Sequence, residues 1–123
     1  MITGLVTTAR EAVIQMSVFG SHGHQQAIDV VIDTGFDGSL TLPPAVISSL
    51  GLPWRRRGVS VLADGSETVC DVYQATVVWD GIPRLVAVDA VEMVPLVGMS
   101  LLYGFELTMQ VVERGAVTIK PIV

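Results

Sequence analysis

The sequence is poor in charged residues, and this shortage excludes some classes of protein. Only 15% of its 123 residues are charged and half are hydrophobic, a balance that argues against intrinsic disorder. The formal net charge of −5 argues against general nucleic-acid binding, because few basic side chains are available to neutralise phosphates. We interpret the only basic cluster, Arg55 to Arg57, as a solvated loop after a helix rather than as a site for phosphate or an acidic partner.

The chain also lacks a second cysteine and long apolar runs. Cys70 alone cannot form an internal disulfide bond, and its place in a strand-like segment suggests an inert, half-buried thiol. No apolar run approaches the roughly 18 residues of a membrane-spanning helix, and the N-terminal residues show no secretory signal. We therefore expect a cytoplasmic protein that does not associate with membranes, with residues 1–123 forming one domain.

What the sequence does contain is regular alternation of apolar and polar residues, which predicts half-buried β-strands. The predicted strands are 13–19, 27–32, 39–42, two strands within 58–79 joined at Asp64-Gly65, 84–91, 105–112 and 116–122. Short apolar patches that end at glycine predict two brief helices, at 43–51 and 99–104. Eight or so strands and two short helices indicate an all-β domain that closes or folds over itself. An ordinary β-sandwich would give the same periodicity and stays an alternative.

One carboxylate interrupts this pattern at the end of the most hydrophobic segment. In "VVIDTGFDGSLTLP", residues 30–43, Asp33 follows three apolar residues. An ionised carboxylate there needs hydrogen-bond donors in place of the water that it loses. Thr34 offers a hydroxyl group, and Gly35 lets the backbone or a ligand approach closely. A simpler alternative is a turn in which Asp33 bonds its own backbone.

Three features, in this order, resemble the retroviral-type (retropepsin-like) aspartic proteases and their single-domain bacterial relatives. The first is Asp-Thr-Gly at 33–35 after apolar residues. The second is a hairpin with "LADGSE", 62–67, at its tip, where the family carries its flap. The third is "PLVGMSLL", 95–102, where the family has two apolar residues, a glycine and a short helix. The resemblance spans residues 10–122 and implies a closed, folded-over acid-protease barrel with a flap hairpin and one or two short helices.

This resemblance implies an aspartic endopeptidase, in which two carboxylates share one proton and activate a water molecule without a metal or cofactor. Asp33 would be the catalytic residue. The sequence has no second Asp-Thr-Gly or Asp-Ser-Gly, so the resemblance implies a homodimer that pairs Asp33 with its symmetry mate. One alternative is a dimeric peptide-binding module of the same fold that cleaves little or nothing. Another is a monomeric β-sandwich with an incidental turn.

The resemblance also implies roles for the neighbouring residues. Thr34 would bond across the dimer interface, and Gly35 would offer its backbone to a peptide substrate. The other implied substrate-binding residues are Phe36 and Asp37 in the loop, and Ala63, Asp64 and Gly65 in the flap. Leu96, Val97 and Gly98 would pack beneath the catalytic loop.

Some positions depart from the viral pattern or suggest other chemistry. Phe36 stands where the viral enzymes usually have alanine, and Met99 stands where they commonly have an arginine. His22 and His24 lie in a polar turn without cysteine or carboxylate partners nearby, so we interpret them as solvated residues and expect no metal site.

Overall fold

The structure, a computed structural model, describes residues 1–61 and 64–123 and consists mainly of β-strands. The strands are β1 (Ile2–Val6), β2 (Ala12–Phe19), β3 (Gln25–Ile32), β4 (Leu40–Leu42), β5 (Trp54–Val61), β6 (Glu67–Trp79), β7 (Ile82–Ala90), β8 (Leu96–Val97), β9 (Phe105–Met109) and β10 (Ala116–Pro121). The helices are α1 (Pro44–Leu50) and α2 (Met99–Leu102). Neither of these helices has the length and apolar character to cross a membrane, and the described residues contain no other helix that does.

The hairpin of β2 and β3 shows how the alternating sequence builds the sheet. Ile14, Met16 and Val18 on β2 are buried, whereas Gln15 between them is exposed. One face of the strand therefore removes apolar surface from water, which stabilises the fold by about 25 cal/mol for each Å² that is buried. The two strands pair in antiparallel fashion from Val13↔Val31 to Phe19↔Gln25. This hairpin was predicted and is confirmed.

All the described strands belong to one sheet, which closes on itself. Their order is β5-β6-β7-β4-β8-β3-β2-β1-β10-β9. Strand β2 uses its outer edge twice, because residues 12–14 pair with β1 and residues 18–19 pair with β6. The second pairing closes β6, β7, β4, β8, β3 and β2 into a barrel. The expected closed all-β fold is therefore confirmed, and a sandwich of two separate sheets is not what the chain forms.

Helix α1 begins and ends where the sequence predicts. Pro44 occupies the first helical turn, where its missing N–H is not needed. Gly51 ends the helix in the left-handed conformation, with φ of 63°, and its N–H reaches the carbonyl groups of Ile47 and Ser48.

The structure corrects the sequence-based prediction in four places. Strands β1 and β8 were not predicted. Strand β9 ends at Met109 rather than at residue 112. The interpretation of Arg55 to Arg57 as a loop is wrong, because these residues lie in β5, which pairs with β6 from Trp54↔Tyr73 to Val61↔Glu67. Pairing along the long neighbouring strand overrides the polar local sequence.

Candidate active site

Asp33 is the first residue after β3 and lies at the rim of the barrel rather than in its core. Val30 is buried in the core, and Val31 faces the opposite side of the sheet. The hydrogen bonds from Val31 N to Pro95 O and from Asp33 N to Val97 O, both 2.9 Å, continue the pairing of β3 with β8. Because side chains alternate along a strand, Asp33 shares the face of Val31. Its side chain is half-buried, which explains how a carboxylate can follow an apolar strand.

The Asp33 carboxylate accepts a hydrogen bond from its own turn. The backbone N–H of Gly35 donates to Oδ1 of Asp33 at 2.9 Å. A Cβ at position 35 would lie 3.3 Å from the same oxygen, so a residue without a side chain suits this close approach. Thr34 and Gly35 are both exposed. The Asp-Thr-Gly step is thus a surface turn that orients its carboxylate, as the simpler interpretation also expects.

The loop from Asp33 to Ser39 is fixed at both ends by β8, which lies between β3 and β4. Strand β8 is parallel to β3 and antiparallel to β4. Val97 O accepts the N–H of Asp33, and Gly98 N donates to Ser39 O at 3.0 Å. These bonds join the start of the loop to the last residue of β8 and the end of the loop to the residue that follows β8.

Helix α2 holds the middle of the same loop. Met99 N donates to Phe36 O at 2.8 Å, and Ser100 N donates to Gly38 O at 3.0 Å. The Ser100 hydroxyl donates to Asp37 O at 2.6 Å. The first two residues of α2 therefore donate hydrogen bonds to three consecutive carbonyl groups of the loop. These bonds restrict the loop backbone and leave the side chains of the loop free of this role.

Gly98 allows this contact because the loop backbone crosses directly against it. A Cβ at position 98 would lie 2.4 Å from Gly38 O and 2.6 Å from Phe36 O. The structure therefore places Val97 and Gly98 beneath the loop, next to Leu96. The Phe36 ring is half-buried within the loop itself, since a Cβ at Gly38 would lie 2.5 Å from its Cζ atom.

An open depression of about 390 Å³ lies beside the loop and is lined by Asp37, Met99, Ser100 and Tyr103. The side chain of Met99 is 48% exposed and that of Tyr103 is 88% exposed. Asp37 is also exposed and lies beside the exposed Met99 and Tyr103.

The other predicted substrate-binding residues come between β5 and β6 in the sequence. Ala63 lies outside the described residues. Asp64 accepts hydrogen bonds from Ser66, at 2.6 Å from the hydroxyl and 2.9 Å from the backbone N–H, and these bonds lower the pKa of Asp64. Gly65 follows with φ of 84°, which glycine adopts without strain. Between residues 64–67 and the Asp33 loop, the described part of the chain shows no hydrogen bond or ion pair.

The two histidines lie in the turn between β2 and β3, away from this loop. His24 Nδ1 lies 3.2 Å from Ser49 O, at the end of α1. Across residues 1–61 and 64–123, no three His, Cys, Asp or Glu side chains are grouped so that they could hold a metal ion.

The sequence interpretation missed two polar residues on the face that carries Asp33. Thr41 on β4 is 4% exposed, and its hydroxyl accepts the N–H of Leu96 at 2.9 Å. Asp89 on β7 pairs with Thr41 and is half-buried. Burial raises the pKa of Asp89; the charge of Arg56 opposes this rise and that of Asp37 adds to it. The available signal was an aspartate in an otherwise apolar strand, "LVAVDAV".

Comparisons with known proteins bear on the fold of this chain. No protein-family model matches the sequence, and no curated protein matches it. Among solved structures, the chain is similar to a retropepsin-like aspartic protease from Rickettsia conorii, with a TM-score of 0.60 and 15% sequence identity. The similarity covers 99% of this chain and 91% of that chain. At this identity it shows the fold alone, because one fold can serve many functions. The chain therefore has a retropepsin-like all-β fold.

Proposed function

We propose that this chain is an aspartic endopeptidase that hydrolyses peptide bonds as a homodimer, with residues 1–123 as one catalytic domain. The observation that carries the proposal is the position of Asp33. It is half-buried at the end of β3, in an exposed loop that β8 and α2 hold by backbone hydrogen bonds. This arrangement occurs in a fold that the chain shares with an aspartic protease.

The proposed chemistry uses Asp33 of both subunits. Two carboxyl groups about 3 Å apart share one proton, because two negative charges cannot both persist at that distance. The ionised group takes a proton from a bound water molecule while the water oxygen bonds to the scissile carbonyl carbon. The protonated group donates a hydrogen bond to the carbonyl oxygen. When the C–N bond breaks, the leaving amine takes up the proton that came from the water.

A second copy is needed because the chain has one such loop. The exposed Thr34 and Gly35 leave the turn accessible to another subunit. Within the described residues the Thr34 hydroxyl makes no hydrogen bond, which supports its proposed role of bonding across the interface.

The substrate would be an extended peptide beside the loop. Gly35 and Asp37 would contact its backbone, with Phe36 packed between them. The β5–β6 hairpin, with Ala63, Asp64 and Gly65 at its tip, would close over the peptide and add strand-like hydrogen bonds. Strand β5 is at the edge of the sheet, so one of its sides lacks a strand partner among the described residues.

Cleavage of a diverse peptide library, followed by mass spectrometry, tests the proposal. We expect cleavage by the natural chain and none by Asp33→Asn, which removes the group that accepts the proton. Asp29→Asn is the matched control, because Asp29 is an exposed aspartate on β3, the strand that Asp33 follows. Peptide binding without cleavage by the natural chain would favour the binding-module alternative. Cleavage that survives Asp33→Asn would refute the mechanism.

Mixing subunits tests the dimer separately. If natural and Asp33→Asn chains exchange at equal concentrations, about one quarter of the dimers carry two Asp33 residues. We expect activity to fall to that fraction of the fully natural dimer at the same total concentration. A decrease to one half would show that each chain acts alone.

A further inference from the structure

Strand pairing lines up a row of residues on the face that carries Asp33. The successive partners are Arg56, Val72, Asp89, Thr41, Leu96 and Val31. Residues that face each other across neighbouring strands project from the same side of the sheet. Asp33 follows Val31 by two residues and shares that side. The row therefore runs across the sheet, from the strand that precedes the proposed catalytic carboxylate to the edge strand β5.

Asp89 is the one carboxylate in this row. Its two partners, Val72 and Thr41, are 2% and 4% exposed. Asp89 is half-buried between them, and in the part of the chain that the structure describes its carboxylate makes no hydrogen bond or ion pair. A carboxylate that has lost part of its water without gaining a donor destabilises the structure that holds it.

The charges near Asp89 favour a cation. Asp37 and Arg56 are the charged groups whose fields act on it. Of these two, Arg56 is exposed on the edge strand, where water screens its charge. An acidic ligand group would be repelled by Asp89 and Asp37 together.

We propose that Asp89 binds a lysine or arginine side chain of the peptide substrate, at a position that flanks the scissile bond. This inference rests on the proposed protease function, because the row is a substrate subsite only if peptides bind beside Asp33. The basic group would supply the donors that the Asp89 carboxylate lacks. Its aliphatic stem would lie along Leu96, which is half-buried, as long basic side chains commonly do on apolar surfaces. Asp89 is thus a specificity-determining residue rather than a catalytic one.

Binding of non-cleavable peptides tests the proposal. Each peptide carries a reduced amide in place of the scissile bond, and one flanking position at a time holds lysine, norleucine or glutamate. Dissociation constants are measured for the natural chain, for Asp89→Asn and for Asp29→Asn, the exposed matched control. We expect lysine to bind at least about tenfold more tightly than norleucine at one position, the size of effect that a hydrogen bond to a charged group gives.

The variants separate a role in recognition from a role in folding. We expect Asp89→Asn to bring the lysine-to-norleucine ratio close to one and Asp29→Asn to leave it unchanged. Asp89→Glu keeps the charge and should retain part of the preference. Unfolding curves for each variant verify that the compared proteins are folded.

Several results would overturn the inference. A preference for norleucine at every position, or a lysine preference that survives Asp89→Asn, excludes Asp89 as the determinant. A preference for glutamate identifies Arg56 as the binding group instead. In these cases the protease proposal still stands if cleavage depends on Asp33. Absence of both binding and cleavage for every peptide overturns the two proposals together.

Discussion

Replacing Gly98 by alanine tests whether close backbone contact holds the loop that carries Asp33. The new Cβ would lie 2.4 Å from Gly38 O, whereas ordinary contact begins at 3.4 Å, so the loop and β8 must separate by about 1 Å. The Cβ would also lie 2.5 Å from Cδ2 of the Phe36 ring, which can rotate away, but Gly38 O and Phe36 O belong to the main chain and cannot. Overpacking of this kind typically costs about 1–3 kcal/mol.

The same displacement weakens the hydrogen bonds that α2 makes to the loop. Met99 N to Phe36 O and Ser100 N to Gly38 O are 2.8 and 3.0 Å long, and each bond contributes about 1 kcal/mol. Adding partial loss of these bonds to the clash, we expect Gly98→Ala to lower the free energy of unfolding by about 2–4 kcal/mol. Urea denaturation at one fixed protein concentration measures this, because dimer stability depends on concentration.

Gly4→Ala is the matched control, since its Cβ would lie 2.1 Å from Val13 O in the pairing of β1 with β2. We expect both variants to lose stability. Only Gly98→Ala should also lose peptide cleavage, by about 100-fold per folded molecule, which is what a misplacement of about 1 Å can cost. The reasoning would be refuted if Gly98→Ala had the same free energy of unfolding as the natural chain. An equal loss of cleavage in both variants would refute it too.

Two further predictions concern the row of residues beside the loop. Thr41→Val should lower the free energy of unfolding by about 1–3 kcal/mol, because the Leu96 N–H loses its acceptor. Thr41→Ser keeps a hydroxyl group and should lower the free energy of unfolding by less. Equal denaturation midpoints for the two variants would contradict this. Asp89→Asn should stabilise the protein progressively as the pH rises from the ordinary aspartate pKa of 3.8 through the raised pKa of Asp89 in the folded chain. Below this pH range Asp89 is protonated in both the folded and the unfolded chain. Above it, the folded chain bears the full cost of the buried charge. The difference in the free energy of unfolding between Asp89→Asn and the natural chain is therefore constant below and above this range and changes only within it. Urea denaturation across that pH range checks the sign, and a difference that shrinks with rising pH would contradict it.

Local sequence was sufficient for the elements whose own residues specify them. The β2–β3 hairpin follows from strict alternation, and α1 follows from Pro44 at its start and Gly51 at its end. The Asp33 turn was recognisable because a carboxylate after three apolar residues is costly unless the local backbone supplies donors.

Elements that depend on their neighbours could not be predicted in this way. Strand β8 has two residues, too few to show any periodicity, and it is a strand only because β3 and β4 flank it. Arg55 to Arg57 have a polar local sequence, but Arg56 and Arg57 pair with Val72 and Asp71 of the long strand β6. Asp89 lies in a strand that was predicted, yet its position on the face of Asp33 follows only from the register of several strand pairs.

The way the loop is held also decides which departures from the viral pattern matter. Met99 stands where those enzymes commonly have an arginine, so the charged side chain of that arginine is missing beside the loop. In the structure the position contributes its backbone N–H to Phe36 O, a bond that any residue except proline can make, and Asp37 O is bonded by Ser100. The exposed methionine side chain therefore changes the surface beside Asp37 while leaving the support of the loop in place. By contrast, Gly98 cannot gain even a methyl group without moving the backbone that carries the carboxylate.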